Sequence, residues 1–175
     1  EFPQLNLVHL SGLPPGWLGK NHALQFGANR SRGEWLLFTD ADIAYAPDAL
    51  RHLVARAEAG GLVLTSLMVK LRCETFAERA FIPAFVFFFQ MLYPFAWVNN
   101  PKSGMAAAAG GCTLVRRNAL ERAGGIPAIR SEIIDDCALA RRLKGQGPIW
   151  LGLTRRAMSL RPYGGFLKIG HMISR

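Results

Sequence analysis

Four large apolar residues and a threonine, Trp35 to Thr39, run straight into Asp40-Ala41-Asp42. An uncharged run of that length reads as a strand buried on both faces. Set among amphipathic helices, such a strand implies an α/β layered domain. In open α/β sheets, ligands bind beyond the carboxyl ends of the strands, so Asp40 and Asp42 are expected to face a cleft. Their spacing can aim both carboxylates at one hard divalent cation, Mg²⁺ or Mn²⁺. These ions take oxygen ligands and share them with substrate phosphates. An exposed acidic turn with no ligand carries the same D-x-D pattern, and the pattern alone does not separate the two.

The remaining sequence supplies the alternation that an α/β domain requires. Leu5 to Leu10 reads as a short strand and Ser11 to Gly16 as a loop rich in Pro and Gly. Asn21 to Asn29 can form a helix with Ala23, Leu24, Gly27 and Ala28 on one face. Pro47 suits the first turn of a second helix, in which Leu50, Leu53, Val54 and Ala57 recur at helical spacing until Gly60-Gly61. Leu62 to Val69, Cys112 to Val115 and Pro148 to Thr154 read as further strands. Asn118 is placed to cap a helix that stops at Gly124-Gly125. Ile133 to Lys144 reads as a helix with Ile133, Cys137, Ala140 and Leu143 inward, and Gly145 follows as its stop. The chain opens inside what reads as a strand and closes abruptly at Arg175, the pattern of a piece of a longer protein.

Phe81 to Val98 breaks the alternation. Its residues carry no charge, and its length is borderline for a membrane span. Pro83 and Pro94 disfavour a straight buried helix. Tyr93 and Trp97 have the amphipathic rings common at a membrane–water interface. A core helix, an interfacial segment and a span all answer to this pattern. The formal net charge of +9 calls for an anionic partner. Lys and Arg are scattered, with no run of five or more, which argues against nucleic acid and suits an anionic leaflet or a phosphorylated substrate. Cys73, Cys112 and Cys137 form no C-x-x-C pair and no zinc pattern with the histidines, so free thiols are expected.

The stretch from Gly19 to Asp42, GKNHALQFGANRSRGEWLLFTDAD, resembles the family 2 glycosyltransferases in the order and spacing of G-K, A-L, G, G-E, an apolar strand and D-x-D. The resemblance implies a GT-A fold, a Rossmann-like α/β domain with a mixed sheet that binds a nucleotide-sugar donor. Residues 1–175 would then be part of a catalytic domain that lacks the first strand or strands. Asp40 would contact the donor ribose or the metal, Asp42 would ligate the metal, and Lys20 lies where a basic group is often placed near the donor. Asp135-Asp136 opens a helix, where carboxylates complement the helix dipole in any protein. By the resemblance Asp136 matches the catalytic base of an inverting transfer, and Asp135 stands beside it on the acceptor side. The resemblance also puts Gly110 and Gly111 along the acceptor side, although tight strand packing explains two glycines equally well.

Segments across the whole chain, among them LPPGW, the aromatic stretch and IDDCALA, are similar to the hopanoid-biosynthesis-associated glycosyltransferases. That similarity implies a lipid acceptor or membrane surface, and an active site on the cytoplasmic face of a bacterial inner membrane. The Q-x-x-R-W motif of processive members does not occur, so a non-processive enzyme is expected. The expected activity is metal-assisted, inverting sugar transfer. A nucleotidyltransferase could use the same D-x-D site but would need no base at Asp136. A non-catalytic membrane module would bind vesicles without metal-dependent donor binding.

Overall fold

A computed structural model describes residues 6–163 and 169–170. Its centre is a mixed five-stranded sheet in the order β1 (Trp35–Thr39), β4 (Cys112–Arg116), β3 (Leu64–Lys70), β5 (Ile149–Ser159), β2 (Ile43–Tyr45). β4 runs antiparallel to both β1 and β3, β3 runs parallel to β5, and β2 is antiparallel to β5. Helices cover both faces of the sheet, but β1 is not the fully buried strand expected: it lies at an edge, and only Leu36 on it is buried. On one face Leu64, Val115, Ile149 and Leu151 pack with Ile126, Ile129, Ala140 and Leu143. On the other, Leu53 and Ala57 of α2 (Ala49–Ala59) meet Val69, Cys112 and Ala157.

α1 (Gly19–Arg30) begins two residues before the expected helix. α2 ends where Gly60-Gly61 predicts. Leu62 N–H reaches Ala57 C=O at 2.8 Å and Gly61 N–H reaches Glu58 C=O at 3.1 Å. Gly61 has φ +57°, the left-handed residue that this helix ending demands. α5 (Arg117–Arg122) and the 3₁₀ turn Ile126–Ile129 follow β4. α6 (Asp135–Lys144) closes at Gly145, with Asp135 and Asp136 in its first turn and Arg141, Arg142 and Lys144 in its last.

Three further expectations are corrected. Residues 6–10 form no strand: Leu7 is 76% exposed and nothing pairs with it in the sheet, so apolar character alone does not extend the chain (Leu5 lies outside the described residues). Asn118 sits inside the first turn of α5, whose cap is Arg116, because β4 passes directly into the helix. Ile133 is exposed rather than inward, because α6 starts two residues later. Cys137, Ala140 and Leu143 are buried as expected, and the three cysteines are free thiols.

The aromatic segment folds as α3 (Phe76–Leu92) and α4 (Phe95–Val98), separated at Pro94. Pro83 is accommodated inside α3, at the cost of one backbone hydrogen bond. α3 is no core helix. Only Ala77, Glu78 and Ile82 are buried on it, whereas Phe87, Phe88, Met91 and Leu92 are exposed. Among the described residues, no helix is long and apolar enough to cross a membrane.

Candidate active site

The antiparallel register of β1 and β4 sets Thr39 opposite Cys112. The carboxyl end of β1 therefore stands beside the Gly110-Gly111 approach to β4. The first turns of α1 and α6 converge on the same place. Lys20, Phe38, Thr39, Asp40, Gly110, Thr113, Asp135 and Asp136 line one cleft, with Leu24 and Leu139 in its wall.

Lys20 Nζ lies 3.2 Å from Asp135 Oδ1 and 3.1 Å from Oδ2. Burial works against the Lys20 cation, but the carboxylates of Asp135, Asp40 and Asp136 outweigh it and raise its pKa. α1 is held in place by Asn21, whose buried amide donates to the carbonyl of Ile129 at 2.8 Å. Leu18 N–H reaches Arg130 C=O at 2.9 Å, which docks the start of the helix onto the turn before α6. The ion pair thus spans two elements fixed against each other.

Asp136 Oδ1 accepts the Cys137 N–H at 2.8 Å. Burial pushes the Asp136 carboxyl above the usual range. Asp135 adds to this, while the Cys137 N–H and Lys20 oppose it. A raised carboxyl in a cleft is the condition of a proton acceptor near neutral pH. Asp40 is raised too, by partial desolvation and by Asp42 and Asp135, with Lys20 opposing. Gly110 explains why no side chain intrudes. A Cβ there would stand 3.2 Å from Asp136 Oδ2 and 3.2 Å from Lys20 Nζ.

Asp42 and Gly111 lie apart from this cleft. The Asp42 carboxylate accepts from Ser159 Oγ at 2.8 Å and lies 3.7 Å from Arg161 Nε. Asp42 is nonetheless close enough to Asp40 to raise its pKa. Gly111 serves packing: a Cβ would meet Val69 at 3.1 Å, and its carbonyl accepts from Thr39 Oγ1 at 3.1 Å. Tyr45 donates to Thr39 Oγ1 at 2.7 Å and buttresses the strand end.

Among the described residues, no group of three or more His, Cys, Asp or Glu is assembled to hold a metal ion. Asp40 and Asp42 offer carboxylate oxygens alone. That donor set fits a hard cation that takes one or two protein carboxylates and completes its shell with phosphate and water.

Ser159, Arg161 and Tyr93 are not expected at the site from the sequence, which marks Tyr93 only as an interfacial ring. Tyr93, at the end of α3, packs against the core cluster that holds Cys137 and so sets the aromatic segment near the site.

A mixed sheet with helices on both faces and an acidic cleft at the end of one strand is the architecture of a GT-A glycosyltransferase. The fold matches that of the mannosyltransferase PcManGT from Pyrobaculum calidifontis, solved in complex with GDP-Man and Mn²⁺, with a TM-score of 0.56 and 22% identity over 85% of the chain. The chain spans 38% of that protein's length. It belongs to glycosyl transferase family 21, whose family model matches residues 1–158. The matched family is thus number 21, where the sequence resemblance pointed to family 2. Comparison with curated protein sequences returns no significant match.

Proposed function

We propose that this chain binds a nucleotide-sugar donor and carries the base for inverting transfer of the sugar to an acceptor hydroxyl. The observation that carries the reading is the convergence of Asp40, Asp135 and Asp136 with Lys20 in one cleft at the strand end, with the Asp136 carboxyl raised by burial. Asp136 takes the proton from the acceptor O–H as that oxygen forms its bond to the anomeric carbon. The bond from that carbon to the donor diphosphate breaks, and its electron pair leaves with the diphosphate. A single displacement of this kind inverts the anomeric centre and needs no covalent enzyme intermediate.

Asp40 faces the donor, and Asp40 with Asp42 would hold a divalent ion. Bound there, such an ion would neutralise the diphosphate leaving group. The Mn²⁺ and GDP-Man carried by the mannosyltransferase of like fold support a metal and a nucleotide-sugar donor here. The acceptor we favour is a lipid, hopanoid-related in keeping with the sequence similarity. Its support is the exposed apolar face of α3 and α4, whose Tyr93 packs against the core cluster that holds Cys137, beside Asp136. The same face would rest on the cytoplasmic side of a bacterial inner membrane, with the hydroxyl presented to Asp136.

Single-turnover transfer with the intact enzyme, alongside donor titration, tests the base. Asp136→Asn should lower transfer by roughly 10²–10⁴-fold, since an amide cannot take the proton. Donor affinity should stay near wild type. Near-normal transfer by the variant would leave Asp136 as no more than a first-turn carboxylate.

A further inference from the structure

We infer that Lys20 is a positioning residue for the base Asp136, acting through its ion pair with Asp135 and its seat against Gly110, rather than a donor-binding group. This rests on the reading of Asp136 as the base. The sequence resemblance would put Lys20 near the donor. The structure engages it elsewhere: both oxygens of Asp135 lie within 3.2 Å of its Nζ. Asp135 is the better shielded partner, with its side chain 13% exposed against 47% for Lys20.

Two neighbouring carboxylates at one helix end cannot serve one proton equally. The ammonium of Lys20 takes up both oxygens of Asp135 and leaves Asp136 as the acceptor. Gly110 sets the third side. The position its Cβ would occupy is 3.2 Å from both Lys20 Nζ and Asp136 Oδ2. Ammonium and carboxylate therefore pack over one bare backbone position, and the two side chains are held side by side. The cation itself is not free to wander. Asn21, its neighbour in α1, is buried with its amide on the carbonyls of Ile129, Arg130 and Glu132, in the turn that leads to Asp135.

Charged and titratable groups reach Asp136 and its immediate neighbours from four elements. Lys20 comes from α1, Asp40 follows β1, Tyr93 ends α3, and Asp135, Cys137 and Arg141 lie on α6. Of these, Lys20 is the cation that directly favours ionised Asp136. Its removal raises the Asp136 pKa further. The acid limb of the rate profile must then move to higher pH.

The experiment is transfer by the intact enzyme across pH, at saturating donor and acceptor, with donor affinity titrated separately. Three single variants, Lys20→Gln, Lys20→Arg and Gly110→Ala, are compared with the double variant Lys20→Gln with Asp135→Asn. Lys20→Gln should lower turnover by roughly 10- to 100-fold, the scale of a misplaced reacting group. Donor affinity should stay within about twofold, well inside the tenfold of 1.4 kcal/mol. The acid limb should shift upward, and Lys20→Arg should restore most of the rate. Gly110→Ala removes no charge but pushes the two groups apart, so it should show the same pattern more weakly. Adding Asp135→Asn to Lys20→Gln should cost little more than Lys20→Gln alone. Weak donor binding with normal turnover at saturation would overturn the proposal and return Lys20 to the donor side. So would an unmoved acid limb in Lys20→Gln. Near-normal transfer by Asp136→Asn would overturn the base reading itself, whatever the Lys20 variants do.

Discussion

Asp42 is engaged before any donor arrives. Its carboxylate accepts from Ser159 Oγ and faces the Arg161 guanidinium, both supplied from the end of β5 and the segment after it. If Asp42 is a metal ligand, its contribution to donor binding depends on the metal. Asp42→Asn should then weaken nucleoside diphosphate binding in Mn²⁺ by about tenfold or more, as expected for loss of one of two carboxylate ligands. In EDTA the variant and wild type should bind alike. Calorimetry with the intact enzyme reads both, and equal affinities with Mn²⁺ present would remove Asp42 from the metal site. A second outcome concerns pH. Burial raises the Asp136 carboxyl, so its ionised form is lost at a higher pH than for an ordinary carboxylate. Transfer should fall on acidification with a midpoint above the usual aspartate range, and the fall should be absent from the residual activity of Asp136→Asn. Asp40, Asp135 and Asp136 were legible because each sits at an element end that the sequence marks, the close of an apolar run or the first turn of a helix. Ser159 and Arg161 were not legible. The Asp42–Ser159 contact joins residues 117 positions apart, and no local pattern encodes a pairing of that range.

The elements were legible where hydrophobic runs were long and uniform. β1, β3 and β4 fall within a residue or two of the expected bounds, because each is built mainly of apolar residues. β2 was hidden: three half-buried residues, Ile43–Tyr45, are too short for a pattern and exist because β5 runs on to Ser159 and offers an edge. α3 was readable as apolar, but its start was not, since the decisive residues are polar. Thr75 Oγ1 accepts the Glu78 N–H at 3.3 Å, and Glu78 Oε2 accepts the backbone N–H of Thr75 and of Glu74, each at 2.9 Å. The other oxygen of Glu78 takes the Tyr163 N–H at 3.0 Å. One buried carboxylate thus pins the start of α3 to the chain that leaves the sheet after β5. Thr75→Ala should cost about 1 kcal/mol in denaturant unfolding, the usual worth of such a cap. Glu78 should appear in the pH dependence of stability. Its backbone donors hold its pKa at about 2, against 4.5 for a free glutamate. A depressed folded-state pKa contributes stability that is present above the unfolded value and lost as pH falls through the folded one. Wild type should therefore lose stability between about pH 4.5 and pH 2, and Glu78→Gln, already weakened, should lose less over that window. Parallel curves for the two proteins would mean that the carboxylate carries no such linkage.

At the scale of the molecule, the unusual feature is where the apolar surface lies. Phe87, Phe88, Met91 and Leu92 of α3 and Trp97 of α4 are each more than half exposed, on a segment with no charge of its own. Contiguous exposed apolar surface of this kind marks an interaction site. The face does not stand alone. Tyr93 packs against the core cluster that holds Cys137, next to Asp136. Lys144 Nζ binds the carbonyls of Val98 at 2.7 Å and Met105 at 2.6 Å, and so fixes the end of α6 to the end of α4. The apolar face, the basic last turn of α6 and the acidic cleft at its first turn therefore belong to one rigid corner. A helix that lies in the interface buries its apolar side among acyl chains and sets its cations at the headgroups. Such binding has two parts with different salt dependence. Screening at high ionic strength removes the attraction of Arg141 and Arg142 for anionic lipid, whereas apolar burial persists. Flotation with vesicles containing anionic lipid should show strong binding at low salt and weaker, but surviving, binding at high salt. Arg141→Gln with Arg142→Gln should lower only the low-salt binding. Phe87→Asp with Phe88→Asp should lower binding at both, by at least about a hundredfold, because each buried ring is worth about 1.5–3 kcal/mol. Neither pair lines the cleft, so donor titration serves as the check that the variants are folded. Protein that stays wholly in solution at low salt, while binding donor normally, would give the apolar face to another protein surface and leave the sugar acceptor to be sought among soluble hydroxyls.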